Sequence, residues 1–256
     1  MDEGAPRRVR LSAAIIAKNE EKKIGDCLDS LSFADEIIVV DSGSADRTVD
    51  IAREKGARVV FHEWQGHVAQ KNFALDQAQG DWIISLDADE RVSAPLRGQI
   101  LRELENPRAD GYAFPRLVYY LNRWIRRCGW YPARKTRLVR RGAARWTGEN
   151  PHDRLEVNGR VVNLDGDLYH LSFDDISAHL RTINSFTTIA AAERAAAGAR
   201  AGWWEILLRP PATFIKMYFL KLGFLDGAPG FILCALSAYH VFCKYVKLRE
   251  RARPCP

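Results

Sequence analysis

Over the first hundred residues, short apolar runs alternate with segments whose apolar residues recur at helical spacing. Leu11 to Ala17, Glu36 to Val40, Arg58 to His62 and Trp82 to Leu86 read as buried strands. Between the first two, Ile24, Cys27, Leu28 and Leu31 recur at i, i+3, i+4, i+7, the stripe of a core-facing helix, with Asn19 as its expected N-cap. The spacing predicts further helices from about Arg47 to Lys55, stopped at Gly56, and from about Gly66 to Gln79, stopped at Gly80. A helix from Pro95 to about Leu104 and strands over Gly111 to Tyr120 follow. Parallel strands alternating with helices predict an α/β fold with a doubly wound, mostly parallel sheet.

Three of these strands end on polar or acidic residues. The first runs into Lys18-Asn19-Glu20-Glu21, the second into Asp41-Ser42-Gly43-Ser44-Ala45-Asp46-Arg47-Thr48, and the fourth into Asp87-Ala88-Asp89. Gly43 suits a tight turn, and Ser44 or Asp46 suits a helix cap. Ligands bind at the carboxyl ends of strands in open α/β sheets, so Glu20, Asp41 and Asp87 are expected to converge there. Carboxylates on either side of Ala88 can hold a hard divalent cation, which in turn bridges to a diphosphate. A lone D-x-D usually marks only a solvated turn, here beginning at Asp89-Glu90. Three acidic strand ends in one sheet favour a site.

Composition is that of a globular chain of 256 residues, 47% hydrophobic and 27% charged, with a net charge of +6. The five cysteines show no C-x-x-C pairing, which argues against a zinc site or redox dithiol and for reduced thiols in the cytosol. The N-terminus lacks the pattern of a signal peptide. Charge is unevenly placed: Arg116 to Arg145 holds ten basic residues and no acid. A single-sign run points to an anionic partner. Tyr119, Tyr120, Trp124, Trp130 and Tyr131, interleaved with it, suit a membrane interface or a sugar platform; with no nucleic-acid fold signature, nucleic acid is not the expected partner.

The last fifty residues change character. Trp203-Trp204, Pro210-Pro211, Phe214-Ile215 and Met217 to Leu220 predict aromatic helices carrying Lys216 and Lys221. Gly230 to Cys243 is mostly apolar over fourteen residues, short of the roughly 20 a spanning helix needs. With a basic tail from Lys244 to Arg253, this region predicts amphipathic helices lying in a membrane interface, or else a helical hairpin closing the core.

The order AKNEE, IIVVDSGSADRT, GDWIISLDADE, followed by GENPHDRLEVNG, LYHLSF and KLGFLDGAPGF, resembles glycosyltransferase family 2, and within it the bacterial lipopolysaccharide core β-1,4-glucosyltransferases. The resemblance implies a GT-A-like fold with an acceptor-side elaboration and transfer of a hexose, glucose in the nearest relatives, from a UDP-sugar with inversion. Its acceptor would be a lipopolysaccharide core or other anionic glycolipid or saccharide. The expected segments are a tail at 1–10, a nucleotide-sugar half at 11–105, an acceptor and catalytic half at 106–175, and a helical membrane-interface segment at 176–256. Asn19, Glu20, Asp41, Lys71, Asn72 and Asp87 would line the nucleotide-sugar pocket, with Asp41 on the base. Asp89, with Asp87 and a late histidine, His170, would hold Mn2+ or Mg2+. Asp153 is the expected general base and Glu149 its alternative. Arg134, Lys135 and Arg137, beside a mobile acceptor loop at Trp130-Tyr131-Pro132, would hold the diphosphate or a phosphorylated acceptor. The implied location is cytoplasmic, peripheral on the inner face of the inner membrane. A nucleotidyltransferase would carry a Gly-rich loop where AKNEE stands. A non-catalytic membrane-surface or nucleic-acid adaptor using the basic run leaves the acidic strand ends unexplained.

Overall fold

The computed structural model describes residues 9–148, 153–173 and 175–251. The strands predicted in the first hundred residues form as β1 (Leu11–Ala17), β2 (Glu36–Asp41), β3 (Arg58–Phe61) and β4 (Trp82–Asp87), separated by α1 (Ile24–Ser30), α2 (Thr48–Glu54) and α3 (His67–Gln77). After β4 come a three-residue strand, β5 (Glu90–Val92), then α4 (Ala94–Glu105), β6 (Gly111–Tyr120), β7 (Arg123–Ile125) and β8 (Ala133–Arg140). Short strands β9 (Ala144–Thr147), β10 (Arg154–Val157), β11 (Val161–Asn163) and β12 (Leu168–His170) precede three helices, α5 (Ile176–Ala196), α6 (Trp203–Ile215) and α7 (Gly227–Arg251).

The main sheet runs β3-β2-β1-β4-β8-β6-β12-β5, with β11 and β7 also on β6. Its first four strands are parallel; β8 pairs antiparallel with β4 and β6, and β11 pairs parallel with β6. Both faces of the parallel part are covered. Ala13 and Ile15 of β1 pack with Ile24, Cys27 and Leu28 of α1 and Ile100 of α4, while the alternate residues Ala14 and Ile16 pack with Ala74 and Leu75 of α3 and with Trp146.

The chain forms two compact units, 1–116 with 133–170 and 117–132 with 171–256. Segment 117–132 therefore groups with the C-terminal helices, and the expected boundary at 105–106 falls inside the first unit. In the second unit, Ala191 of α5, Ile206 of α6, and Tyr245 and Leu248 of α7 share one apolar cluster. Lys247 donates to Asn184 Oδ1 and to Thr187 Oγ1, both at 2.8 Å, joining α7 to α5. The apolar run at Gly230 to Cys243 predicts a segment too short to span a bilayer, yet Gly223–Arg251 is one continuous helical segment of 29 residues, long and apolar enough to do so by length and composition. Past Lys244 the helix stays paired with α5, where Lys247 finds the exposed Asn184 and the buried Thr187 as acceptors.

Candidate functional site

Register aligns the strand ends as parallel pairing requires. Ala17 pairs with Asp41 and Ile16 with Asp87, so the acidic ends of β2 and β4 flank the end of β1. The loops after β1 and β2 hold one another. Asn19 sits at φ +54°, a left-handed conformation that asparagine tolerates. Its N–H donates to Ser44 Oγ at 2.9 Å and its Oδ1 accepts from Ala45 N–H at 2.8 Å, so it latches the β2–α2 loop and does not cap α1. Asp41 is buried and accepts from the N–H groups of Gly43 (2.8 Å) and Ser44 (3.0 Å). The Glu20 N–H donates to Thr48 Oγ1 at 2.7 Å. Asp46 accepts from Thr48 N–H at 3.0 Å, as a residue at the mouth of α2 should.

Asp87 anchors a charge network. Its Oδ1 lies 3.0 Å from Lys71 Nζ and its Oδ2 3.2 Å from Arg137 Nη2. Burial opposes its charge, but Lys71 and Arg137 prevail and hold the carboxyl well below the ordinary carboxylate range. Lys71 also reaches Asp153 Oδ2 at 2.8 Å. Arg137 forks onto the fully buried Glu90, Nε to Oε2 at 3.0 Å and Nη2 to Oε1 at 2.9 Å. Burial disfavours the Arg137 charge, and Glu90 with Asp87 reverses that and raises its pKa. Trp146 floors the network, with Lys71 Nζ at 4.2 Å and the Arg137 guanidinium at 5.0 Å from its ring centre. Asn72 holds that tryptophan by both backbone groups, at 2.9 Å each. Asn72 is thus a clamp on β9, its side chain spent on Trp146.

Asp89 stands apart from this network, facing His170, with Oδ2 3.2 Å from Nε2. β12 pairs antiparallel with β5, His170 opposite Glu90, and this brings a residue 81 positions downstream beside the D-x-D. His170 Nδ1 is buried without a hydrogen-bond partner. A carboxylate oxygen and an imidazole nitrogen are a fitting pair of donors for a divalent cation. Among the described residues no three His, Cys, Asp or Glu side chains form a complete cage. That suits a metal held by one or two protein groups and completed by substrate phosphates. Asp87, expected from sequence as a second ligand, has its Oδ1 on Lys71 and its Oδ2 on Arg137.

The remaining predicted residues divide. Lys135 and Arg137 lie close enough for their charges to interact, and Arg137 sits where the pairing of β8 with β6 shifts by one residue. Arg134 is spent on Leu164 O and on Asp165, the latter at 2.9 Å, so it does not join them. Burial, with Arg116 and Arg137 nearby, lowers the Lys135 pKa. Asp153 pairs with Lys71, while its neighbour Arg154 pairs with Glu156. Glu149 lies outside the described residues. Much of the basic run is neutralised from within: Arg137 by Glu90, Arg140 by Asp110, Arg145 by Asp76, and Arg134 by Asp165. Its single sign in sequence therefore overstates its reach for an external anion. Sequence reasoning gave no role to Glu90 or to Trp146.

Comparison with known proteins agrees with this geometry. Residues 12–154 match the family model of glycosyl transferase family 2. The lipopolysaccharide core biosynthesis glycosyltransferase LpsC of Rhizobium meliloti (strain 1021) is 31% identical, over 96% of this chain and 96% of its own. An uncharacterized glycosyltransferase of Rickettsia typhi is 30% identical, over 94% of this chain and 87% of its own. Among solved structures, glucosyl-3-phosphoglycerate synthase of Mycobacterium tuberculosis, in complex with Mn2+ and UDP-glucose, is similar over 43% of this chain and 44% of its own, at 27% identity and a TM-score of 0.37, too distant to carry residue roles across. With the family matched from β1 to the start of β10 and a relative aligned nearly end to end, the chain belongs to glycosyl transferase family 2 and is a glycosyltransferase.

Proposed function

We propose that the enzyme transfers a hexose, glucose first among candidates, from a UDP-sugar to a lipopolysaccharide core or other anionic saccharide acceptor, with inversion. The observation that carries this is the Asp89–His170 pair set beside the Asp87–Lys71–Asp153 chain at the ends of the parallel strands. The end-to-end likeness to a lipopolysaccharide core enzyme supports the acceptor class.

Asp89 and His170 would hold Mn2+ or Mg2+, which supplies Lewis-acid stabilisation of the departing diphosphate. Lys135, half-buried with its charge crowded by Arg116 and Arg137, is placed to take diphosphate oxygens. The β2–α2 loop, shaped by Asn19 and Asp41 with Glu20 beside it, is the proposed wall of the nucleoside pocket. Lys71 occupies Asp153 Oδ2, and no described group bonds Oδ1. Oδ1 takes the acceptor hydroxyl's proton as that oxygen bonds to the anomeric carbon and the bond from that carbon to the diphosphate oxygen breaks, releasing UDP. Attack opposite the leaving group converts an α-linked donor into a β-linkage.

The enzyme is read as cytoplasmic and peripheral on the inner membrane. Trp203, Trp204, Leu207 and Leu208 of α6 are exposed together, Trp204 at 74%, which suits an interfacial helix. Incubating purified protein with a panel of UDP-sugars plus Mn2+ or Mg2+, then adding truncated lipopolysaccharide, tests the reading. Slow donor hydrolysis and faster transfer to one acceptor are expected; turnover unaffected by chelator, or transfer from no UDP-sugar, overturns it.

A further inference from the structure

The second unit holds a cleft of its own, about 390 Å³, lined by Arg126, Arg127, Tyr131, Leu220, Lys221 and Leu222 among others. Two loops build it. Asp226 accepts from the Arg127 N–H at 2.8 Å, and Lys221 O accepts from Cys128 N–H at 3.1 Å, so the backbone is pinned and the side chains are directed elsewhere. Gly129, at φ +75°, lies close under the Lys221 stem, where a Cβ would meet Lys221 Cγ at 3.6 Å. Neither Arg127 nor Lys221 has an acidic partner among the described residues, unlike Arg123 with its contact to Asp226. Arg126 lies 5.6 Å from the Tyr131 ring centre, cation over face.

The segment that carries Lys221 is strongly apolar at its surface. Phe219, Leu220, Leu222, Phe224 and Leu225 are all exposed, Leu220 at 73%, in the seven residues that bracket Lys221. Two cations with no acidic partner among the described residues, beside a run of exposed apolar side chains, match the layering of a bilayer surface, where phosphates sit just above the acyl boundary. A soluble phosphate would need the cations but not the exposed apolar run.

We propose that this cleft binds the phosphate headgroup of an anionic lipid, with Arg127 and Lys221 on the phosphate and the 219–225 segment seated in the acyl boundary. The proposal rests on the peripheral-membrane reading and adds to it a discrete headgroup site.

Vesicle co-sedimentation of the full chain tests it, using neutral phosphatidylcholine alone and phosphatidylcholine with 30 mole percent phosphatidic acid, roughly the anionic content at which polybasic contacts act. Expected is at least about tenfold weaker binding of the Arg127→Ala/Lys221→Ala variant to the anionic vesicles, with thermal unfolding and neutral-vesicle binding retained. The control Arg181→Ala/Arg200→Ala, which removes two exposed charges of the same unit, should change anionic binding by less than about threefold. Equal loss in both variants would reduce the effect to diffuse charge and overturn the site, as would wild-type binding by the cleft variant. Full release by millimolar inorganic phosphate would assign the cleft to a soluble phosphate instead. If the wild-type chain binds neither vesicle, the peripheral reading itself fails; binding that is unchanged in the variant defeats the cleft alone.

Discussion

Lys71 and Asp153, 82 positions apart in sequence, form an ion pair at 2.8 Å. The lysine also pairs with Asp87, at 3.0 Å, so one ammonium ties the end of β4 to the entry of β10. A carboxylate held this way has one oxygen anchored and one available, an arrangement suited to a base that must wait in a fixed position.

Asp153→Asn keeps the size and removes the proton acceptor. Transfer should fall roughly 10²-fold or more while UDP-sugar binding survives, measured by initial rates and by calorimetric titration of the donor. If Glu149→Gln gives that pattern and Asp153→Asn does not, the base is Glu149.

Asp89→Ala should abolish cation-dependent donor turnover with little change in melting temperature, since Asp89 serves none of the described ion pairs but that with His170. His170→Ala should weaken Mn2+ activation by roughly 10-fold or more, as loss of one ligand from a sparse site implies. Titrating activity against Mn2+ in both variants checks this; full activity in excess chelator would refute the metal role.

Glu90→Gln tests the buried pair. Arg137 would keep Asp87 but lose its fork, leaving a poorly compensated cation in an apolar setting at a cost of about 3 kcal/mol. Denaturant unfolding reads this directly. A change under about 0.5 kcal/mol would mean that water reaches the pair and that Glu90 contributes little.

His179 offers a pH readout in the second unit. It is buried, its Nδ1 is 2.9 Å from the Tyr120 hydroxyl, and burial followed by the nearby His240 lowers its pKa from 6.5 to about 4. Across that interval the unfolded chain binds a proton that the folded chain refuses, so stability present above pH 6.5 is lost as pH falls toward 4. His179→Gln should flatten that part of the melting-temperature profile. An unchanged slope would place the acid sensitivity on other groups.

The α/β alternation was legible because burial on both faces of a parallel strand demands continuous apolar runs, and core helices demand a 3.6-residue stripe. The same logic made Asp41 and Asp87 legible as neighbours, since parallel strands started in step must end in step. Asn19 was read both as a cap for α1 and as a wall of the nucleotide pocket, and it latches the β2–α2 loop. A side-chain cap and a loop latch use the same amide, and only the left-handed turn decided between them.

What sequence alone determined, then, is the local and the periodic: strands, helices, acidic strand ends, and the motif order of a family 2 glycosyltransferase. Tertiary structure decided which charges meet. Glu90 is buried because β12 pairs with β5 and Arg137 closes over it, and Arg134 leaves the site because Leu164 O and Asp165 hold it. Ten basic residues in a row of thirty looked like one anion-binding surface, yet the acids that neutralise several of them lie far away along the chain. Coulomb pairing depends on distance in space, which strand register sets and residue spacing does not record.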